Sequence, residues 1–187
     1  MQEATKYSNF SDFEQNSNVK KLSSGIQSYY EYIWKTATRQ VSNIGYTIDM
    51  YLAATFSVIN RKISARTMAD IYEDEIPVWQ WEDILQNLFP IVAYDTLGYS
   101  VFHNDVRMFL TAHYKKAKQL IPTVSGKIAN FLMYRDFDEK VKHEVIFKLL
   151  KEARQEEKYV DIFTCEYVMK AYLLKRDLRE LQQQMLD

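Results

Sequence analysis

His103 is the residue of this chain whose type and position are best suited to chemistry. It lies in the segment Phe102 to Leu110, which follows a predicted β-hairpin and opens a predicted amphipathic helix. The first backbone N–H groups of a helix have no partner within the helix and favour anions. An imidazole at that junction can therefore either hydrogen-bond a backbone carbonyl or contact a phosphate group.

The other residues with reactive side chains give weaker signals. His113 lies on an apolar helix face and is predicted to pack in the core or against a partner, whereas His143 is predicted to be a solvated helix residue. Cys165 has no cationic or histidine neighbour in sequence, so we expect a buried, unreactive thiol. A zinc site would require His103, His113 and His143 to converge, the single cysteine adds no recognised ligand spacing, and no metal site is predicted.

The composition indicates a helical protein with a substantial core. Hydrophobic residues make up 47% of the 187 residues, and only four Gly and three Pro interrupt the chain. The net charge of −1 gives no general attraction to nucleic acid or membranes. The sequence contains neither a signal-peptide pattern nor an apolar run long enough to span a bilayer, and the single cysteine fits a reducing compartment. We therefore predict a cytoplasmic protein without a membrane partner.

The pattern of apolar residues divides the chain into four parts. Residues 1–22 are polar and are predicted to be disordered or an incomplete element, and residues 23–43 are predicted to form a connecting helix. Residues 44–120 are predicted to form a winged-helix domain and residues 121–187 a helical extension similar to helical repeats. The predicted fold class is thus mainly α, with a winged helix-turn-helix and a small β-hairpin wing flanked by helices.

The winged-helix prediction depends on the order helix, short strand, helix, helix, hairpin, helix. In the first helix the residues of one face share an apolar character: Ile48, Leu52, Phe56 and Ile59. Ile63–Ser64 is predicted to be extended, with Ser64 capping a helix over 65–72. The next helix is predicted to begin at Pro77 and to run to Phe89. The residues predicted to face inward are Trp81, Ile84, Leu85 and Leu88, with Trp79 as further core or joint packing. Strands are predicted at 91–94 and 99–102.

The helical extension is predicted from three signals. Pro122 and Gly126 indicate a joint before a short helix over 127–134. Asp136 with Glu139 resembles a capping box for the following helix. A terminal helix is predicted to run to the last residue with an apolar seam that will pack on another surface: Tyr167, Ala171, Leu174, Leu178, Leu181 and Met185.

The charges of the winged-helix segment argue against DNA binding. Phosphate contacts by Lys and Arg supply most of the affinity in such complexes. No Lys or Arg occurs from Thr67 to Val106, and the same stretch contains eight acids: Asp70, Glu73, Asp74, Glu75, Glu82, Asp83, Asp95 and Asp105. A winged helix that packs against protein is the favoured interpretation, and a DNA-binding regulator is the least favoured one.

Two segments resemble a known family. Leu22 to Trp34, with its Tyr29-Tyr30 pair, resembles the helix that follows the ATPase core in NACHT-type STAND proteins, the signal-transduction ATPases with numerous domains. Tyr99 to Leu110 resembles the end of the winged helix in the same family. The two segments occur in the family's order and spacing, and the resemblance covers roughly residues 20 to 120. The family includes bacterial anti-phage sensors and innate-immune receptors.

The resemblance implies a nucleotide-dependent switch in a larger protein. In that family the winged helix folds onto the nucleotide-binding domain in the resting state, and the histidine that matches His103 hydrogen-bonds the β-phosphate of ADP. Asn104 stands where the related plant motif has an aspartate, and Arg107 matches an arginine that is expected to brace the helix. The resemblance implies ADP or ATP with Mg²⁺ as the cofactors of the parent protein.

The chain itself is not expected to be an enzyme. The P-loop pattern Gly-x-x-x-x-Gly-Lys-[Ser/Thr] is absent from the sequence, as is an apolar strand that ends in paired acids. We therefore expect a regulatory segment of a STAND-type defence or immune ATPase, bound to its own nucleotide-binding domain and controlling oligomerisation. The alternative is a stand-alone helical adaptor that binds a partner helix through its C-terminal seam.

Overall fold

The protein is mainly helical with one small antiparallel sheet, as predicted. The computed structural model describes residues 19–39, 45–73, 75–101, 103–135, 137–177, 179 and 182–183. Its elements are α1 (Val19–Arg39), α2 (Gly45–Val58), α3 (Ala65–Ile71), α4 (Val78–Asn87), β1 (Ala93–Asp95), β2 (Gly98–Ser100), α5 (Asn104–Lys116), α6 (Ile121–Tyr134), α7 (Glu139–Ala153), a 3-10 turn (Glu156–Lys158), α8 (Tyr159–Ile162) and α9 (Cys165–Leu173). Of the segment predicted to be disordered, residues 19–22 belong to α1 and residues 1–18 lie outside the described residues.

The segment between α2 and α3 joins the hairpin, because Ile63 pairs with β2. The Ile63 N–H donates to the Tyr99 carbonyl at 2.8 Å, and the Ile63 carbonyl accepts from the Tyr99 N–H at 2.9 Å, which forms an isolated antiparallel bridge. Ser64 then caps α3, since its hydroxyl accepts from the Thr67 N–H at 2.9 Å. The predicted short extended piece and its serine cap are both confirmed.

Helix α4 buries the four residues that were predicted to face inward, but its ends differ from the prediction. Pro77 is the N-cap and not the first helical residue, because its ψ of 152° is extended. The helix ends at Asn87, and the N–H groups of Ile91 and Val92 still donate to the Leu88 carbonyl, at 2.8 and 3.1 Å. These bonds hold Ile91 and Val92 in a turn, so β1 begins two residues later than predicted.

Gly98 closes the hairpin and contacts the Ile63 bridge. Its φ of 128° is a conformation that side-chain-bearing residues rarely adopt, and a Cβ there would lie 2.9 Å from the Ile63 carbonyl oxygen. Ala93 pairs with Ser100 and Asp95 pairs with Gly98. The second strand ends at Ser100, and Phe102 of the predicted strand lies outside the described residues.

The predicted joint at Pro122 and Gly126 is wrong, because α6 is continuous from Ile121 to Tyr134. Pro122 lies in the first helical turn, where its missing N–H removes no helical bond. Gly126 is buried where α6 approaches the end of α7. A Cβ on Gly126 would lie 3.6 Å from the Ala153 Cβ and 3.3 Å from the Gln155 Nε2. The glycine therefore permits close helix packing and does not interrupt the helix.

Asp138 caps α7, and the predicted capping box is wrong. The Asp138 carboxylate accepts from the Val141 N–H at 3.1 Å, and Arg61 donates to it at 2.9 Å. Glu139 is the first helical residue and so cannot occupy the third position that a capping box requires. Asp136 lies outside the described residues.

The terminal helix is interrupted after Leu173, although one continuous helix was predicted. Lys175 adopts the left-handed conformation with a φ of 56°. The Arg176 N–H donates to the Ala171 carbonyl and the Lys175 N–H to the Tyr172 carbonyl, both at 3.0 Å. This is the bonding of a Schellman motif, which terminates a helix and satisfies its last carbonyls. Of the predicted seam, Tyr167 and Ala171 are buried. Leu178, Leu181 and Met185 lie outside the described residues.

One hydrophobic core runs through the described elements. It contains buried residues of α2, α5, α6 and α7, among them Leu52, Leu110, Ile128 and Leu149. A buried polar chain crosses the same helices: the Tyr114 and Ser125 hydroxyls lie 2.7 Å apart, and Ser125 donates to the Glu152 carboxylate at 2.8 Å. The helices after residue 120 are thereby fixed to α5. Within the described residues, no helix combines the length and apolar character needed to cross a bilayer.

Candidate functional site

His103 is the N-cap residue of α5 and projects an exposed side chain. Its φ of −89° and ψ of 131° are extended, and its carbonyl accepts the Arg107 N–H at 3.2 Å. The imidazole makes no capping hydrogen bond, and within the described residues it has no side-chain partner. The sequence left two partners possible for the imidazole, and the hydrogen bond to a backbone carbonyl is not formed with any described residue. Neither ring nitrogen is hydrogen-bonded to a described residue.

The first turn of α5 combines features that attract and repel an anion. The helix N-terminus carries a partial positive charge from its unpaired N–H groups. Asp105, exposed in the same turn, opposes that attraction. Asn104 is the first helical residue and its amide lies 3.8 Å from the Met108 sulfur, so it does not cap the helix. The histidine at the start of this turn can thus donate a hydrogen bond to a phosphate.

Arg107 fixes the orientation of this turn, as the sequence indicated. One guanidinium nitrogen donates to the Asn60 side-chain carbonyl at 2.6 Å and to the Val101 carbonyl at 3.1 Å. Asn60 precedes the Ile63 bridge and Val101 follows β2. Arg107 therefore ties the start of α5 to both sides of the sheet and positions His103 through the backbone.

His113 belongs to a separate cluster that holds α1, α2 and α5 together. Its Nε2 lies 2.7 Å from an Asp49 carboxylate oxygen, and the Trp34 indole N–H donates to the other oxygen. The imidazole also packs against the rings of Trp34 and Phe109, with centroid distances of 5.8 and 5.9 Å. The predicted packing role of His113 is confirmed.

Sequence reasoning missed Asp49, although the chain carries a signal for it. Asp49 is the only ionisable acid or base in α2, a helix that is otherwise nearly all apolar and small residues. A lone carboxylate on such a helix requires hydrogen-bond donors within the fold. A cavity of about 380 Å³ lies beside the cluster, between α1 and α5, and Ile26, Tyr30 and Phe109 contribute to its wall.

The histidines of α5 do not form a common site. His103 and His113 are ten positions apart on one helix, which places them about 15 Å apart along its axis. Among the described residues, no group of three His, Cys, Asp or Glu side chains is placed to hold a metal ion.

His143 is buried, and the prediction of a solvated side chain is wrong. Its side chain on α7 is 1% exposed and stacks on Tyr167 of α9 with a ring distance of 3.9 Å. Burial lowers the pKa of the imidazole below its ordinary value, although the Glu139 carboxylate at 3.8 Å acts in the opposite direction. The neutral ring acts as an aromatic core side chain.

The solvent exposure of two side chains corrects two further sequence predictions. Cys165 is exposed at the start of α9, not buried, because the helix presents its first residue to solvent. Of the two tryptophans predicted to pack, Trp81 is fully buried and Trp79 is 69% exposed. The helical repeat explains this difference, since positions two residues apart lie on different faces.

Comparison of the chain with protein-family models, with curated protein sequences and with solved structures finds no match. The functional argument therefore depends on the residues and their geometry, together with the sequence resemblance described above.

Proposed function

We propose that this chain is a regulatory, non-catalytic segment of a STAND-type signalling ATPase, in which His103 contacts the β-phosphate of bound ADP. The observation that carries the proposal is the exposed imidazole at the start of α5, which has no side-chain partner within the described residues. A neutral or protonated imidazole can donate a hydrogen bond to a phosphate oxygen. The adjacent helix N-terminus favours the same charge.

The order of elements supports the winged-helix part of the proposal. Helix α2 is followed by the Ile63 bridge, α3, α4, the hairpin and α5. The bridge supplies a third, minimal strand beside the two hairpin strands, as a winged helix requires. In this proposal the hairpin is the wing, and α4 takes the place of the recognition helix.

The proposed mechanism is a two-state switch. In the resting state His103 hydrogen-bonds ADP that is held by the P-loop domain of the parent protein, and the winged helix stays docked on that domain. Mg²⁺ and the remaining phosphate contacts belong to the P-loop domain, since this chain has no P-loop pattern. When ATP replaces ADP, the contact between His103 and the phosphate is lost and the winged helix is released. The released segment then permits oligomerisation.

The decisive test is His103→Ala in the intact P-loop-containing protein, with Lys115→Ala as the matched control. Lys115 is also exposed, in the last turn of α5, and makes no contact used by the proposal. We expect the histidine variant to retain less ADP after purification and to oligomerise without its trigger, because one hydrogen bond to a charged group contributes about 1.5–3 kcal/mol. Unchanged ADP content and a stable resting state in that variant would overturn the proposal. Absence of a P-loop from the source reading frame and its neighbours would overturn it as well.

A second candidate, a helical adaptor, is favoured by the exposed apolar residues near the C-terminus. Met169, Tyr172 and Leu173 of α9 are each at least 67% exposed. Met169→Glu with Leu173→Glu should then abolish association with a partner in size-exclusion chromatography. Tyr167 and Ala171 keep the core contact of α9 in that variant, so loss of folding does not confuse the result. Retained association would count against the adaptor function.

A further inference from the structure

The outer face of α4 presents an exposed tryptophan among acids. Trp79, Glu82, Asp83 and Gln86 follow the spacing i, i+3, i+4 and i+7, and all four side chains are exposed. The opposite face carries the buried residues Trp81, Ile84 and Leu85. A 69%-exposed tryptophan is unusual on a solvated helix face, because it leaves a large apolar surface in water.

The wing continues this face. The Tyr94 ring packs on Tyr99 with a centroid distance of 4.8 Å, and Tyr94 itself is 68% exposed. Tyr99 in turn hydrogen-bonds Gln86 and lies near Glu82, and burial together with nearby negative groups raises the pKa of its hydroxyl. These contacts connect β1 to α4 through β2. We call Trp79, Glu82, Asp83, Gln86 and Tyr94 the α4–wing face.

Glu82 and Asp83 are acids of α4 that no described residue pairs with a countercharge. Asp70 is paired with Arg66 at 2.7 Å, and Lys62 pairs with Asp95. Lys127 lies 2.9 Å from Glu73 and 2.8 Å from Glu75. For Glu82 and Asp83, no ion pair is formed with any described residue. The negative charge of the face is therefore available to a partner.

We propose that the α4–wing face binds a basic protein segment, in which Lys or Arg side chains meet Glu82 and Asp83 while an apolar or guanidinium group packs on Trp79. Tryptophan is the most favourable aromatic side chain for such cation contacts and is enriched among the residues that dominate binding energy. This surface is separate from His103, and the inference does not depend on the proposed nucleotide switch.

The same charges identify protein as the partner and not nucleic acid. A phosphate backbone facing Glu82 and Asp83 would be repelled, and the face has no Lys or Arg of its own, since none occurs between Thr67 and Val106. Lys62, which lies beside the hairpin, is already paired with Asp95. If the segment is a winged helix, it places a negatively charged surface, which attracts cations, where DNA-binding winged helices carry a positive one.

The fluorescence of Trp79 can be used to measure binding at this face. The chain has three tryptophans, and Trp34 and Trp81 are 1% and 0% exposed, so quenching by acrylamide reports mainly on Trp79. The probe is a tryptophan-free amphipathic peptide of about 18 residues, long enough to form a helix, with Lys and Arg on one face and Leu on the other. Its control is the same peptide with Glu replacing every Lys and Arg.

The basic peptide should shift the Trp79 emission to the blue and protect it from acrylamide, and the acidic peptide should do neither. Glu82→Lys with Asp83→Lys should weaken binding of the labelled basic peptide by roughly tenfold or more, equivalent to about 1.4 kcal/mol. Glu156→Lys with Glu157→Lys makes the same change of net charge at exposed sites far along the chain, and should leave the affinity nearly unchanged. Trp79→Ala should weaken binding without removing its salt dependence.

Three results would overturn the inference. Equal loss of affinity in the two double-lysine variants would mean that net charge alone attracts the peptide. Unchanged affinity in Trp79→Ala would mean that the tryptophan is not an anchor. Tighter binding of duplex DNA than of the basic peptide, measured at the same salt concentration, would assign the face to nucleic acid.

Discussion

His143 and Tyr167 form a buried contact that depends on the protonation state of the imidazole. The imidazole is enclosed between α7 and α9, and neither ring nitrogen makes a hydrogen bond to the described residues. Protonation would place a cation in this enclosure, where Lys142, Lys170 and Arg176 act against it and Glu139 alone favours it. The contact therefore favours the neutral ring.

Acid should therefore destabilise the fold through His143. Its folded pKa is lowered by burial, whereas its unfolded pKa is about 6.5. Above the unfolded value both states are neutral and the stability is fully present. It is lost as the pH falls from about 6.5 toward the folded pKa, at about 1.4 kcal/mol for each unit that separates the two values.

His143→Phe tests this prediction, because it keeps a ring against Tyr167 and removes the titration. Urea unfolding at pH 7.5 and pH 5.5 should give a smaller acid-induced loss of unfolding free energy in this variant than in the unmodified chain. His103→Ala serves as the control for removing an exposed histidine. Identical pH profiles for the unmodified chain and His143→Phe would contradict the assignment.

At the scale of elements, periodicity predicted which residues are buried better than it predicted where helices end. The inward faces of α2 and α4 were predicted correctly because apolar residues recur there at helical spacing. The end of the helix after Leu173 was not predicted, because the left-handed residue that ends a helix is usually a glycine and here it is Lys175. Gly126 was wrongly predicted to interrupt the helices, since its role is close packing between α6 and α7.

The candidate site was predictable only in part, for a related reason. The position of His103 follows from local order, because a hairpin and a helix meet there, and local patterns are visible in sequence. The partners of Asp49 are Trp34 and His113, which lie 15 and 64 positions away. The burial of His143 likewise depends on its contact with α9, and the prediction of one continuous terminal helix did not include that contact. Long-range pairings of this kind leave no periodic signal.

At the scale of the whole molecule, Lys127 connects α6, the first helix after residue 120, to the loop after α3. It extends from α6 to the loop after α3 and donates to Glu73, while Glu75 also accepts from the Tyr51 hydroxyl at 2.7 Å. Burial alone would raise the pKa of Glu75, but the hydrogen bonds from Lys127 and Tyr51 hold it below its ordinary value. This contribution is present above the ordinary glutamate pKa of about 4.3 and is lost as the pH falls through the lower folded pKa.

Lys127→Met should lower the unfolding free energy by about 1 kcal/mol, since the carboxylates are partly solvated and the ion pairs are screened. The variant should still unfold in one transition, because the core is continuous from α2 to α7 and does not depend on the ion pairs. Circular dichroism during urea unfolding measures both quantities. Lys170→Met removes a cation that pairs with Glu139 and Glu166 inside the extension, and provides the control for a contact that does not join the two segments.

A double-mutant cycle with Glu75→Gln separates the Lys127–Glu75 interaction from the loss of either side chain. A favourable coupling energy would show that this ion pair stabilises the contact between α6 and the loop after α3, and a single unfolding transition would place both in one cooperative unit. Two resolved unfolding transitions, in Lys127→Met or in the unmodified chain, would mean that the helices after residue 120 fold independently. In that case a signal that reaches α4 would not reach α9 through the folded core.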